Sequence, residues 1–97
     1  MSYRLIIRKK PELQLAEAFE WYEKQRASLG LEFLQSVETT LTFIENNPLL
    51  FQIRYKNIRS ALTPHFPYGI FYFVEENTIV VVAVFHLSRN PKRWKND

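Results

Sequence analysis

Hydrophobic and polar positions change period along this chain, and the changes mark out its elements. Tyr3 to Arg8 alternates, with Tyr3, Leu5 and Ile7 opposed to Arg4, Ile6 and Arg8, which predicts a strand. Lys9-Lys10-Pro11 ends it, and Pro11 suits the first turn of a helix. From there to Ser28 the apolar residues Leu15, Phe19 and Tyr22 recur at helical spacing, with Arg26 continuing the stripe. Ser28-Leu29-Gly30 interrupts the pattern. A second helix follows on the stripe Phe33, Val37, Leu41 and Ile44, and Asn46-Asn47-Pro48 stops it, because a residue before proline is pushed out of the α region. So short a break between two helices predicts an antiparallel helical hairpin.

The second half reads as strands. Ile53 to Leu62 is a weak one, followed by a turn containing Pro64 and Pro67. Tyr68 to Val74 and Thr78 to His86 are dense in aromatic and β-branched residues. They are joined by Glu75-Glu76-Asn77, in which Asn77 tolerates a left-handed conformation, and so predict a hairpin. A short basic tail, Leu87 to Asp97, closes the chain. The expected class is α+β, a single domain over residues 1–97. An N-terminal strand and the antiparallel helical hairpin precede a three-stranded antiparallel sheet segment (β-α-α-β-β-β), in a mainly antiparallel sheet with both helices on one face.

That arrangement raises a packing problem. Both alternating sets of the strong hairpin are apolar: Ile70, Tyr72 and Val74 against Phe71 and Phe73, then Ile79, Val81 and Phe85 against Val80, Val82 and Val84. Two helices cover one face only. The other face needs cover from the chain's own tail, a second copy or a partner, unless the strands are simply buried mid-sheet.

Composition narrows the classes. With 97 residues, 46% hydrophobic and only two glycines, the chain can bury one core. It has no cysteine, which excludes disulfides and thiolate metal sites. Two lone histidines without acidic neighbours at metal spacing give no zinc site, and no cofactor is expected. The N-terminus carries no signal-peptide pattern, and the longest apolar run, Ile79 to Phe85, is far too short for a membrane helix. A cytoplasmic protein with no membrane partner is expected.

Charge is lopsided. From Pro11 to Asn47 seven acids stand against two bases, a net −5; elsewhere eleven bases stand against three acids, a net +8. If the two groups form different faces, the molecule has an acidic side and a basic side that attracts polyanions or an acidic partner chain.

An ordered set of motifs carries a further reading. The first helix contains Ala16-Glu17-Ala18-Phe19-Glu20-Trp21-Tyr22-Glu23, then Leu29-Gly30-Leu31-Glu32-Phe33, and the second ends Ile44-Glu45-Asn46-Asn47-Pro48. Ile58-Arg59 follows, then Phe66-Pro67-Tyr68-Gly69-Ile70-Phe71-Tyr72, Ile79 to His86, and Arg89-Asn90-Pro91. In this order, over nearly the whole chain, they resemble the RelE/ParE toxin superfamily, especially its ParE-like, plasmid-stabilisation branch. The resemblance implies a bacterial type II toxin held inactive by a cognate antitoxin, as a homodimer or a toxin–antitoxin hetero-oligomer. Free members of the superfamily either cut messenger RNA at the ribosome or poison DNA gyrase.

Candidate chemistry follows from what each action needs. Metal-free RNA cleavage requires a base, an acid and cations on the crowded phosphate. His86, Arg89 and Arg59 are the catalytic candidates if the chain is RelE-like. Lys56, Arg89, Lys92, Arg93 and Trp94 are the candidates for binding a target or nucleic acid. Each has a plainer alternative. His86 could hydrogen-bond locally, the arginines could pair structurally, Trp94 could pack on the sheet and the tail could be solvated. His65 reads as a turn residue. The resemblance also implies a phosphate-binding arginine directly after Tyr68 in nucleases, where this chain has Gly69. That favours a non-enzymatic, ParE-like toxin over an mRNA endonuclease. A non-toxic RNA- or protein-binding module on the same fold remains the third alternative.

Overall fold

A computed structural model describes residues 3–88. The element order is β1 (Arg4–Ile7), α1 (Lys9–Gln25), α2 (Leu29–Asn46), β2 (Ile53–Tyr55), β3 (Ile58–Leu62), β4 (Tyr68–Glu75) and β5 (Thr78–His86). The five strands form one sheet in the order β1-β5-β4-β3-β2. β2, β3, β4 and β5 pair antiparallel, whereas β1 lies parallel to β5, with Leu5 beside Ile79 and Ile7 beside Val81. The expected α+β order holds, and the sheet is mixed. The parallel pairing joins residues more than seventy positions apart, which no local pattern in β1 signals.

Two boundaries differ from the sequence expectation, each for a backbone reason. Ile53 to Leu62 is two strands, because Lys56 turns with a φ of 52° and folds β2 back on β3. In the β4–β5 turn the left-handed residue is Glu76, with a φ of 55°, rather than Asn77. α1 also starts two residues early, at Lys9, and Pro11 sits buried within its first turn, where helix N–H groups lack partners anyway.

Both helices pack on one sheet face. The core joins Ala18 and Tyr22 of α1, Phe33, Val37 and Ile44 of α2, and Ala61, Tyr68, Ile70, Tyr72, Ile79, Val81 and Val84 of the sheet. Aromatic rings close one end of it. Tyr22, Phe33, Phe66 and Tyr68 meet with centroids 4.9 to 6.1 Å apart, mostly edge-to-face. At the upper half of β5, beyond the reach of β1, Gln14 of α1 accepts the Val84 N–H at 2.8 Å. The helix thus supplies the partner that an edge strand would lack.

A bulge sets which residues face the helices. Phe71 pairs with Ala83 but the next residue, Tyr72, pairs with Val81, so Val82 is the extra residue on β5. The alternation inverts there. Val84 joins Ile79 and Val81 in the core, and Phe85 faces the other side with Phe71 and Ala83, which corrects the strict alternation read from the sequence. The second face is apolar as expected. Its centre, however, is buried within the chain: Phe71, Ala83 and Phe85 are each under a tenth exposed, packed with Ile58 and Val82.

The two helices approach closely at Gly30. A Cβ there would lie 2.7 Å from the Phe19 carbonyl oxygen and from the Phe19 ring. The Gly30 N–H also donates to Glu23 Oε1 at 2.7 Å, tying the start of α2 to the end of α1. Gly30→Ala is therefore expected to destabilise the protein by about 1–3 kcal/mol, the usual cost of overpacking. Urea unfolding checks it, and an unchanged midpoint would show that the helices are not in this contact.

Candidate functional site

The open face of the sheet carries a cleft of roughly 500 Å³. Phe71 and Phe73 of β4, Val82, Ala83 and Phe85 of β5 and Ile58 of β3 form its apolar floor. Arg8 and Lys10 rise at the side of β1 and α1, and Tyr55, Lys56 and Asn57 at the β2–β3 turn. Each cation lies against a ring: Arg8 at 5.5 Å from the Phe73 centroid, Lys10 at 5.8 Å from Phe85 and Lys56 at 5.4 Å from Tyr55. No acid is among the described residues that line it. The helical acids Glu12, Glu17, Glu20, Glu38 and Glu45 are exposed on the helical layer that covers the opposite face of the sheet. Part of the charge split read in the sequence is thus a split between two faces: Arg8, Lys10 and Lys56 lie on the open side and the helical acids on the other.

Among the described residues, the candidates Lys56, Arg59 and His86 do not share one face of the sheet. Lys56 lines the cleft. Arg59 instead points to the helix side, paired across β3 and β4 with Tyr72, and its guanidinium donates to the Leu49 and Phe51 carbonyls at 3.2 and 2.6 Å. Tyr72 completes the clamp by donating its hydroxyl to the Pro48 carbonyl at 2.7 Å. Together they hold the α2–β2 connection. Burial pushes the Tyr72 phenol up from 10.0 to about 12, with the nearby Arg59 charge pulling the other way. His86 is also on the helix side. Its ring meets Tyr68 at 5.2 Å, and its Nδ1 accepts the Ser88 N–H at 3.2 Å. Arg89, Lys92, Arg93 and Trp94 lie outside the described residues. His65 is in the β3–β4 turn with a φ of 67°, beside Pro64, whose carbonyl accepts the Ser36 hydroxyl.

Two cations of the cleft were not singled out from sequence, Arg8 and Lys10. The outward position of Arg8 in the β1 alternation was the available signal for one. Lys10 is brought there by the turn into α1, which the sequence pattern placed after it. Gly69, too, faces this side, next to Phe85 on β5. A Cβ on it would lie 3.0 Å from the Leu87 side chain and 3.1 Å from the Phe71 ring. A side chain there would need the Phe71 ring or the exposed end of Leu87 to give by a few tenths of an ångström.

Among the described residues no group of three or more His, Cys, Asp or Glu side chains could hold a metal ion. Nor, among them, is any helix long and apolar enough to cross a membrane. Comparison with known proteins then places the chain. Residues 5–91 match the family model of the ParE toxin of the type II toxin–antitoxin system parDE. The chain belongs to the ParE toxin family. An antitoxin partner goes with that membership. The fold of this ParE family member is also that of a solved structure, the chromosomal ParDE toxin–antitoxin system from P. aeruginosa. The TM-score is 0.78 at 11% identity, over 87% of this chain and 95% of the other. No curated protein sequence matches the chain significantly.

The clamp gives a pH prediction. An unfolded tyrosine loses its proton near pH 10, whereas folded Tyr72 keeps it to about 12, so the protonated fold is favoured below that range. Stability contributed by Tyr72 is expected to be complete below about pH 10 and lost by about pH 12. Tyr72→Phe should abolish this component and cost about 1–3 kcal/mol at neutral pH, by leaving the buried Pro48 carbonyl unsatisfied. Parallel alkaline unfolding curves for the two proteins test it; identical slopes would refute the assignment.

Proposed function

We propose that this ParE family member is a non-enzymatic toxin that, when free of its antitoxin, binds and inhibits an essential target such as DNA gyrase. The observation that carries this reading is the packing around Gly69. An endonuclease of the superfamily is expected to hold phosphate with an arginine here; glycine offers no charge, and the Phe71 ring and Leu87 crowd the position. Losing one preorganised cation at a transition state typically costs about 3–4 kcal/mol. Two further placements support the same reading. Arg59 is engaged by two carbonyls of the α2–β2 connection, and His86 lies on the sheet face away from the cationic cleft.

In this account the protein works in the bacterial cytoplasm, paired with its antitoxin, and carriage of the pair on a plasmid would stabilise that plasmid. Apolar groups left exposed in the single chain, among them Leu13, Leu31, Phe43 and Leu50, provide surface for the antitoxin or a second copy.

Inducing the isolated protein in cells, with messages and DNA damage followed separately, tests the proposal. The expected outcome is an SOS response with intact transcripts. Rapid translation arrest with cut transcripts would replace this reading with the ribosome-dependent endonuclease. A normally growing culture containing folded protein would instead point to a non-toxic binding module.

A further inference from the structure

The cationic cleft has more chemistry than inhibition through a protein contact requires. Its floor is aromatic and aliphatic, its two sides are basic, and the described lining contains no acid to repel a phosphate. Arg8 and Lys56 stand at opposite sides of the sheet, separated by three to four strand spacings of about 4.8 Å each. Both are exposed. Each lies against a ring, Arg8 against Phe73 and Lys56 against Tyr55, which narrows the positions the cation samples.

We propose that this cleft binds single-stranded DNA, laid across the sheet from Arg8 and Lys10 to Lys56, with bases on the apolar floor and phosphates at the two cationic sides. The inference goes beyond the toxin reading and does not depend on it.

Three features select this ligand. Alternating cations and aromatic groups are the pattern that tracks a phosphate backbone while offering unpaired bases a surface to lie on. Half-buried Phe73 and Val82, together with Tyr55 at 41% exposure, provide that surface, on the ring faces that Arg8 and Lys56 do not cover. Bases inside a duplex are stacked on each other and cannot reach the floor, so single strands are favoured. The floor is also poor in hydrogen-bonding groups, with Asn57 the one amide among the described lining residues. It therefore offers few partners that would select a ribose 2′-hydroxyl, so no feature of the described lining favours RNA. Gly69, which offers no charge to a phosphate, fits binding without cleavage. The exposed helical acids, on the layer behind the sheet, disfavour the opposite side for a polyanion.

Fluorescence anisotropy with a labelled oligothymidylate tests this on the full chain, comparing wild type with Arg8→Gln/Lys10→Gln/Lys56→Gln across a salt series. All three positions are exposed, and an unchanged melting curve will show the variant folded. Each phosphate contact on a single strand adds about −0.7 to the slope of log affinity against log salt. The expected result is a slope shallower by about 2 in the triple variant, with weaker binding at every salt concentration. Taking the difference removes the contribution of the basic tail. Equal affinity and slope in the two proteins would overturn the proposal, as would absence of binding at low salt. Tighter binding of oligouridylate would overturn the choice of DNA. Equal binding of duplex DNA, or of polyglutamate of matched charge, would show a charge effect without a base-binding floor.

Discussion

One extra residue in one strand organises the two faces of this protein. β5 is a nine-residue apolar strand, and strict alternation would send Phe85 to the helices and Val84 away from them. The bulge at Val82 reverses this halfway along. A branched aliphatic residue then fits beneath the helices, where Ile70 and Tyr72 already fill the space. The larger Phe85 ring joins Phe71 on the far side, 5.8 Å away. The sheet therefore has a second small apolar layer that neither α1 nor α2 covers. Fully burying a side chain of that size contributes roughly 1.5–3 kcal/mol, so the far face adds stability as well as surface.

Position on the sheet then separates support from recognition. On the helix side, Arg59 and Tyr72 spend their polar atoms on three consecutive-loop carbonyls, those of Pro48, Leu49 and Phe51. Their work is to fix the chain between α2 and β2. On the open side, Arg8, Lys10 and Lys56 surround an apolar floor without an acid among the described lining residues. A RelE-like reaction would need base, acid and phosphate cations brought together. This chain distributes His86 and Arg59 on one face and its cationic cleft on the other. That division supports the proposed action by binding.

Much of this was legible in the sequence, and the exceptions have physical causes. Periodicity located both helices and the strong hairpin because each has a distinct solvent side or a dense β-branched run. It missed the Lys56 turn, because a lysine in a left-handed conformation leaves no glycine to announce it. It missed the parallel pairing of β1, which depends on how the helices return the chain, and the bulge, which is invisible where both alternating sets are apolar. Site residues were harder. Lys56 could be nominated by charge alone, but only the fold shows that Arg59, three positions later, serves the opposite face. Arg8 became a cleft residue because it follows Ile7, which pairs with Val81, and its N–H donates to the Val81 carbonyl at 3.2 Å.

The central claim is that a ParE family member built in this way disables its target by binding it. DNA supercoiling by purified gyrase, measured with increasing amounts of the purified toxin and then with its antitoxin added, addresses this most directly. The account predicts that supercoiling falls as toxin approaches the enzyme in amount and recovers when antitoxin is supplied. Supercoiling that continues undiminished in an excess of folded toxin would contradict it.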